Sequence, residues 1–309
     1  MSPQPHAAGH RVAVPARDVG PILVIGATGM VGHHVVRQLC AAGHRPRALV
    51  RDPSQARQRL GDHAEPFAGT LDRPETIEAS LTGTDRVFLL TRQTSRQPEQ
   101  ECAVIRAAAR AQVRHVVKLS VFRADEHSSL QVARQHRQTE RALEQSGLAY
   151  TILRPVFFMQ NLFGMLRHGS IRTATGHGRV AMIDARDIAS AAVTTLTSNA
   201  HDGRTYTLTG PKALSFDEVA TILGAQTGIQ IRHMGVSPDD VRQAVQRTGV
   251  ESWFADDMAN LQDLLASGYE DIVTDDVHRV TGGPPRPLGQ FAHDFAETLT
   301  AHNAGGQRG

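Results

Sequence analysis

The chain has 309 residues, 40% of them hydrophobic and 21% charged, which is enough for one large or two small domains with a substantial core. Its 33 basic and 31 acidic residues give a net charge of +2. This charge is too small to favour electrostatic binding to nucleic acid or to a membrane surface. No apolar run approaches the roughly 18–20 residues of a membrane helix, and the two cysteines fit no metal or disulfide pattern, so a cytoplasmic enzyme is favoured.

Short apolar strands alternate with amphipathic helices through the first half of the chain, after a loose tail expected over residues 1–19. The predicted strands are Ile22–Ile25, Arg47–Val50, Arg86–Leu90, His115–Leu119 and Tyr150–Leu153, with a further apolar segment at Ala64–Ala68. The predicted helices cover Val31–Ala42, a short stretch after Pro53, Pro74–Leu81, Pro98–Ala111 and Ser129–Ser146. This alternation predicts an α/β fold with a doubly wound parallel sheet that binds its ligand at the carboxyl ends of the strands.

The pattern changes after residue 155, where we place the boundary between a first domain (20–155) and a second lobe (156–301). Strands are predicted over Val180–Ile183 and Thr205–Leu208, and some strands are expected to return to the main sheet. Helix starts are indicated by a capping box at Ser215–Glu218 and by Ser237–Pro238. Further helices are expected near Asp275–Thr281 and Leu288–Thr300, before a tail over 302–309. The second lobe is thus predicted to be smaller and mostly helical.

Three glycines, Gly26, Gly29 and Gly32, follow the first strand at regular spacing and open the first helix. The first glycine permits a sharp turn, the second lets backbone amides approach a diphosphate, and the third lets the helix pack on the sheet. The helix N-terminus then faces the phosphates with free N–H groups. We expect a dinucleotide to contact these residues: Gly26, Thr28, Gly29, Met30, Val31 and Gly32. The alternative is a structural turn that is only rich in glycine.

The residues after the second strand discriminate between coenzymes. An acid there would bind the ribose 2′-hydroxyl of NAD, whereas an arginine would accommodate the 2′-phosphate of NADP. Arg51 comes first and Asp52 second, and Asp52 is suited to cap the helix opened by Pro53. The sequence therefore favours NADP(H), bound through Arg51, with a solvated surface charge as the alternative.

Several sequence blocks in a specific order resemble the NmrA-like NAD(P)-binding branch of the atypical short-chain dehydrogenases/reductases, which includes quinone and triphenylmethane-dye reductases. The blocks are Gly26–Gly32, Val50–Pro53, Arg86–Leu90, His115–Ser120, Tyr150–Pro155, Phe157–Leu162 and Ile183–Ala189. The resemblance implies a Rossmann domain, a small C-terminal lobe and a substrate held between them. It also implies that residues near the nicotinamide include Leu90, Thr91, Pro155, Val156, Phe157 and Phe158.

The wider superfamily uses a Tyr with a Lys four residues later as its acid, and this chain has no such pair. In its place the helix after Ser129 carries His136 and Glu140 one turn apart, and a neighbouring carboxylate would favour protonated His136 as a proton donor. Ser120 resembles the superfamily serine that binds a substrate oxygen. Lys118 alternates with Ser120 on one strand face and is expected near both the cofactor and the reacting atoms. The alternative is that His136 and Glu140 form only a solvated helix face.

The substrate side is expected to be apolar, because soft and aromatic side chains cluster over Phe157–Leu166. These side chains would suit a small apolar or aromatic substrate, or they could simply fill the seam between the lobes. Trp253 and Phe254 could form a lid or a core anchor. The 16 histidines match no zinc motif, so no metal is expected.

These features lead to an NADPH-dependent reductase of quinone-like or conjugated aromatic substrates, which require little acid assistance. A non-catalytic NAD(P)-sensing regulatory protein is the first alternative, since a missing Tyr/Lys pair fits it equally well. A redox tailoring enzyme of natural-product (aromatic polyketide) biosynthesis is the second. The oligomeric state is not predicted by the sequence.

Overall fold

The computed structural model describes residues 19–304, so most of the first predicted tail and residues 305–309 lie outside the described residues. The strands in this range are β1 (Ile22–Ile25), β2 (Arg47–Val50), β3 (Glu65–Ala68), β4 (Arg86–Leu89), β5 (His115–Leu119), β6 (Ala149–Pro155), β7 (Leu166–Arg167), β8 (Ser170–Thr173), β9 (Arg179–Val180), β10 (Arg204–Leu208), β11 (Leu214–Ser215) and β12 (Arg232–Gly235). The helices are α1 (Gly32–Ala41), α2 (Pro53–Leu60), α3 (Pro74–Leu81), α4 (Gln97–Arg110), α5 (Gln131–Glu144), α6 (Asn161–Met165), α7 (Ala185–Thr197), α8 (Phe216–Thr227), α9 (Pro238–Gln246), α10 (Ser252–Ala266), α11 (Asp276–Thr281), α12 (Leu288–Asp294) and α13 (Ala296–Asn303).

Seven of these strands form one parallel sheet in the order β3-β2-β1-β4-β5-β6-β10. The order reverses between β1 and β4, and doubly wound folds bind their ligands in the crevice at such a reversal, outside the carboxyl ends of the strands. The predicted α/β doubly wound architecture is confirmed. The expected return of a strand from the second lobe is also seen, because β10 pairs in parallel with β6.

The two faces of the sheet are covered by separate hydrophobic clusters. On β1, Ile22 and Val24 pack into the cluster that includes residues of α1 and α7, whereas Leu23 and Ile25 pack into the cluster that includes residues of α3 and α4. Strands buried on both faces read as continuous apolar runs rather than as alternating ones. This burial explains why β1 could be recognised from four consecutive apolar residues.

The second lobe combines short strands with most of the later helices. A three-stranded sheet in the order β12-β8-β7 and the antiparallel pair β9-β11 surround a core that includes Phe216 and Phe291. The capping box at Ser215 and Glu218 is present, and Ser237 caps α9 with Pro238 at its first turn, as predicted. The lobe is mostly helical, as expected.

Predicted and observed elements differ at three places in this lobe. The strand expected over 180–183 shortens to Arg179–Val180, because Ile183 forms an isolated bridge with Phe158 instead. The helix expected over 288–300 breaks at Phe295, whose ring packs 5.0 Å from Phe291. Helix α13 continues to Asn303, which accepts a 3.0 Å hydrogen bond from the His168 amide, so the described start of the expected tail is helical.

Candidate active site

The turn between β1 and α1 has little room for side chains. Gly26 has φ +79°, and a Cβ on it would lie 2.5 Å from the carbonyl oxygen of Leu90. A Cβ on Gly32 would lie 2.0 Å from the carbonyl oxygen of Gly26, so α1 begins against the turn only because residue 32 lacks a side chain. At Gly29 the same distance would be 3.2 Å. The turn therefore has the tight geometry that the glycine spacing predicts.

Several amides of this turn have no acceptor among the described residues. Among the described residues, the backbone N–H groups of Thr28, Met30, Val31 and Gly32 donate to no acceptor, while the Gly29 amide donates to the Gly26 carbonyl at 3.0 Å. Gly29 and Met30 are exposed. Free amides at a helix N-terminus carry a partial positive charge that attracts phosphate. The turn therefore fits the diphosphate of a dinucleotide.

Arg51 and Asp52 lie at the carboxyl end of β2 and have different environments. The Asp52 carboxylate accepts hydrogen bonds from the amides of Ser54 and Gln55 at 2.8 and 3.2 Å, which makes it the cap of α2. Arg51 is exposed and forms no ion pair within residues 19–304. Asp52 is thus occupied by its helix, and Arg51 has its donors available for a ligand.

A fully buried ion pair lies behind the carboxyl ends of β4 and β5. Lys118 on β5 pairs with Glu101 on α4, and neither side chain has exposed surface. Thr91, which follows β4, donates its hydroxyl to the other oxygen of Glu101 at 2.8 Å. Burial opposes ionisation of Glu101, but the charge of Lys118 and the other polar groups around the carboxyl together outweigh burial and lower its pKa. Thr91 is half-buried, whereas Lys118 and Glu101 have no exposed surface, so of the three only Thr91 is accessible to a ligand.

The structure corrects the protonation expected for His136. The side chain is buried, with Nδ1 3.3 Å from Lys118 Nζ and Nε2 3.2 Å from Gln97 Nε2. Burial, followed by the charge of Lys118, lowers its pKa to about 3, and the weaker influence of Glu101 and Glu140 does not reverse this. The prediction that Glu140 favours an imidazolium near neutral pH is wrong. His136 is neutral there.

Glu140 is held by other partners. It accepts from the Ser120 hydroxyl at 2.6 Å and from Arg154 Nε at 2.8 Å, and Arg137 pairs with its second oxygen at 3.1 Å. Burial would raise the pKa of Glu140, but Arg154 and Ser120 outweigh it and hold the pKa below its usual value. The alternative of a solvated helix face is also wrong, since Glu140 and His136 are both buried. Lys118 and Ser120 do share one face of the sheet, toward α4 and α5.

The segment after β6 contributes aromatic surface at the same edge of the sheet. Pro155 and Val156 are buried, whereas Phe157 and Phe158 are half-buried. Most of the other apolar side chains between residues 159 and 166 belong to the core of the second lobe. The buried members are Met159, Leu162 and Leu166, and the Phe163 ring stacks 5.4 Å from Phe291. Only part of the predicted apolar lining is therefore available to a ligand.

Trp253 acts as an anchor rather than as a lid. It packs with Leu130 and Val132 at the start of α5, and its indole N–H donates to Glu251 at 2.9 Å. Asp257 on the same helix accepts from the amides of Gln131 and Val132, so α10 also caps α5.

Glu101, Arg154 and Glu270 belong to the site or its edge, and the sequence analysis did not select them for it. A lysine inside the apolar strand His115–Leu119 was the available signal for Glu101, since a buried cation needs a buried partner. Glu270 carried no signal, because its position depends on the second lobe. Within residues 19–304, no cluster of three His, Cys, Asp or Glu side chains is arranged to hold a metal ion. No helix in that range is long and apolar enough to cross a membrane.

A family model described as NAD(P)H-binding matches residues 26–199, more than half of the chain. The chain is 37% identical over 284 residues to the NAD(P)H azoreductase of Xenophilus azovorans, covering 91% of this chain and 99% of that protein. It is 34% identical to the (4-alkanoyl-5-oxo-2,5-dihydrofuran-3-yl)methyl phosphate reductase of Streptomyces griseus, covering 90% of this chain and 99% of that protein.

Solved structures of reductases are also similar to this chain. The NADPH-dependent quinone oxidoreductase of Escherichia coli, complexed with NADPH, superposes with a TM-score of 0.79 at 26% identity, covering 89% of this chain and 99% of that chain. The triphenylmethane reductase of Citrobacter sp. superposes with a TM-score of 0.78 at 26% identity, covering 90% and 99%. In both cases the similarity extends through both lobes.

Proposed function

Because this chain belongs to the NAD(P)H-binding family and is an NAD(P)H-dependent oxidoreductase, we propose that it reduces a quinone-like or other conjugated acceptor with NADPH. The resemblance to the branch of quinone and triphenylmethane-dye reductases is confirmed by the comparisons. The observation that carries the proposal is that half-buried Phe157 and Phe158 lie at the same edge of the sheet as the free amides of the turn.

Bound NADPH supplies a hydride, and the protein supplies orientation and exclusion of water. The free amides of Thr28, Met30, Val31 and Gly32 would hold the diphosphate, and Arg51 would hold the 2′-phosphate. Leu90, Thr91 and the segment 155–158 would flank the nicotinamide. Lys118 and His136 are positioning residues, since they are buried and act through Glu101 and Thr91. Ser120 reaches a substrate oxygen only if its hydroxyl leaves Glu140.

A conjugated acceptor suits this site because its π system spreads the incoming negative charge. Azo compounds, quinones, triphenylmethane dyes and alkanoyl-dihydrofuranones all share this property, and these are the chemistries named in the relatives. Flat apolar acceptors also pack well against phenylalanine rings. The 34% identity to the dihydrofuranone reductase favours a second candidate, a tailoring reductase that acts on a natural product with a conjugated carbonyl group.

The direct test is NADPH oxidation by the purified chain with a panel containing a benzoquinone, an azo dye, a cationic triphenylmethane dye and a dihydrofuranone. We expect turnover with at least one conjugated acceptor and none with a saturated aliphatic ketone of similar size. NADPH binding is measured in parallel by the change in cofactor fluorescence. Tight NADPH binding without oxidation by any acceptor would contradict the proposal and favour the sensor alternative.

A further inference from the structure

Glu270 is a buried carboxyl group at the carboxyl edge of the sheet that none of the assignments above uses. It follows α10, and its backbone carbonyl accepts from the Ala181 amide at 3.2 Å. Its side-chain Oε2 accepts from the Phe157 amide at 3.0 Å. These two hydrogen bonds fix Glu270 beside the segment that we place against the nicotinamide. The residue is 6% exposed.

The second carboxyl oxygen is available for a ligand. Among the described residues Oε1 accepts no hydrogen bond, and no cation lies within ion-pair distance of the carboxyl group. Oε1 also keeps some solvent-accessible surface. A few polar side-chain atoms of the described residues are fully buried without a partner, and Oε1 is not among them. A carboxyl group with one oxygen fixed and the other open is arranged to exchange a proton.

The surroundings keep a substantial fraction of Glu270 protonated near neutral pH. Burial raises its pKa to about 7, and this rise is opposed by the Phe157 amide and by the charge of Arg123. The adjacent Tyr269 is the other titratable neighbour, and the segments 155–158 and 181–183 bring only apolar side chains or proline.

The loop after β5 completes this corner of the site. The Arg123 guanidinium lies 4.7 Å from the Tyr269 ring centre and 5.1 Å from that of Phe122, and the Phe122 amide donates to the Pro155 carbonyl at 3.0 Å. Arg123 also has φ +49°, a strained backbone conformation that concentrates at functional sites. The loops after β5 and β6 therefore meet Tyr269 and Glu270 at one place.

We propose that Glu270 delivers the proton that completes reduction of the acceptor, in place of the absent Tyr/Lys pair. The acceptor takes two electrons and one hydrogen as hydride from NADPH, which is oxidised to NADP⁺. The resulting anion takes a proton from the Glu270 carboxyl, and the carboxylate recovers its proton from water. This inference rests on the proposed function, because it requires an acceptor that leaves an anion after hydride transfer.

The test compares wild type with Glu270→Gln, which retains the hydrogen bond from Phe157 but cannot donate a carboxyl proton. For acceptors whose reduced anion is strongly basic, such as azo compounds, we expect kcat to fall about a hundredfold, within the usual range for a general acid. For a quinone, whose reduced anion is weakly basic, we expect less than a tenfold fall. Wild-type kcat with the azo acceptor should decline above pH 7, and that decline should vanish in Glu270→Gln.

A readout independent of turnover is the infrared band of a protonated carboxyl group in the cofactor-free protein. The band should titrate away near pH 7 in wild type and be missing in Glu270→Gln. Asp271→Asn, which removes the adjacent exposed carboxylate, is the control and should retain the band and full activity. Thermal melting identifies a misfolded variant, in which case Glu270→Asp replaces it and should shift the pH profile while retaining turnover.

The possible failures are distinguishable. An active wild type with an equally active Glu270→Gln, or with a carboxyl band unaffected by the substitution, would overturn the role of Glu270 alone. A wild type that binds NADPH but reduces no acceptor would overturn the proposed function and this inference with it.

Discussion

We propose that the exposed guanidinium of Arg51 sets the preference for NADPH over NADH. We expect Arg51→Ala to weaken NADPH binding by about 10- to 100-fold, the equivalent of the 1.5–3 kcal/mol of a charge-assisted hydrogen bond. NADH binding should change by less than threefold, because NADH lacks the 2′-phosphate. Fluorescence titrations with both coenzymes measure this, with Arg59→Ala, an exposed arginine of α2, as the control. Equal losses for the two coenzymes would contradict the assignment.

The buried pair of Lys118 and Glu101 makes a second residue-level prediction. Glu101→Gln leaves the Lys118 ammonium buried without a counter-charge, so we expect the free energy of unfolding to fall by about 3–5 kcal/mol. The double variant Lys118→Met, Glu101→Leu removes both charges and should recover most of this loss. Denaturant unfolding of the two variants measures the difference. If Glu101→Gln were as stable as the double variant, the unpaired Lys118 ammonium would carry no measurable cost in folding free energy.

Individual residues were only partly predictable from the sequence. The alternation of a strand correctly put Lys118 and Ser120 on one face, and helical spacing correctly put His136 and Glu140 on one face of α5. Spacing within one helix cannot reveal which charges another element brings close. Lys118 comes between His136 and Glu101, so the imidazole meets a cation where the sequence suggested only an anion.

At the scale of elements, prediction was most accurate where a strand is buried on both faces or where proline marks a helix start. Helix α3 was predicted with its observed bounds, Pro74–Leu81. Prediction failed where tertiary contacts end an element, as at Phe295, whose ring belongs to a cluster of residues far apart in the sequence. No local signal at Phe295 predicts that break.

The glycine turn yields a prediction in which the fold and cofactor binding respond separately. A methyl group on Gly32 would overlap the backbone of Gly26, so Gly32→Ala should reduce the free energy of unfolding by about 1–3 kcal/mol and abolish NADPH binding. A methyl group on Gly29 fits after a small shift but obstructs the free amides. We therefore expect Gly29→Ala to weaken NADPH binding at least tenfold while the melting temperature changes little.

Gly289 provides the matched control, since it lies in α12 and an added Cβ would meet nothing within 4 Å. Gly289→Ala should leave NADPH binding unchanged and raise stability slightly, as expected for alanine in a helix. Unchanged NADPH affinity in Gly29→Ala would remove the diphosphate from this turn.

The two lobes are interwoven at the scale of the whole molecule. The chain leaves the sheet after β6, forms part of the second lobe, and returns through α7 and β10 before completing the rest of that lobe. A boundary at residue 155 stays a prediction about domains, but the return of the chain couples the lobes through shared backbone pairing. Glu270 reaches the sheet edge because of this arrangement. Local sequence patterns therefore could not predict that it lies there.

The buried titratable groups together predict how stability depends on pH. Burial lowers the pKa of His136 to about 3 and the pKa values of His34 and His115 to about 4, so between these values and 6.5 only the unfolded chain binds their protons. Their contribution to stability is therefore lost as the pH falls. Glu270 acts in the opposite sense, because between 4.5 and about 7 only the folded chain retains its proton, and stability falls as the pH rises.

Three histidines outweigh one carboxyl group between pH 4.5 and 6.5, so the free energy of unfolding should rise with pH there by at least about 1.4 kcal/mol per unit, the equivalent of one proton. Above 6.5 the histidines of the unfolded chain lose their remaining protons while Glu270 of the folded chain loses its own, so the profile should level off near pH 7. Urea unfolding from pH 4.5 to 8 measures the profile. Glu270→Gln should steepen the rise, whereas His136→Met should flatten it. Superimposable profiles for wild type and Glu270→Gln would mean that the Glu270 carboxyl titrates alike in the folded and unfolded chains, contrary to its burial beside Phe157.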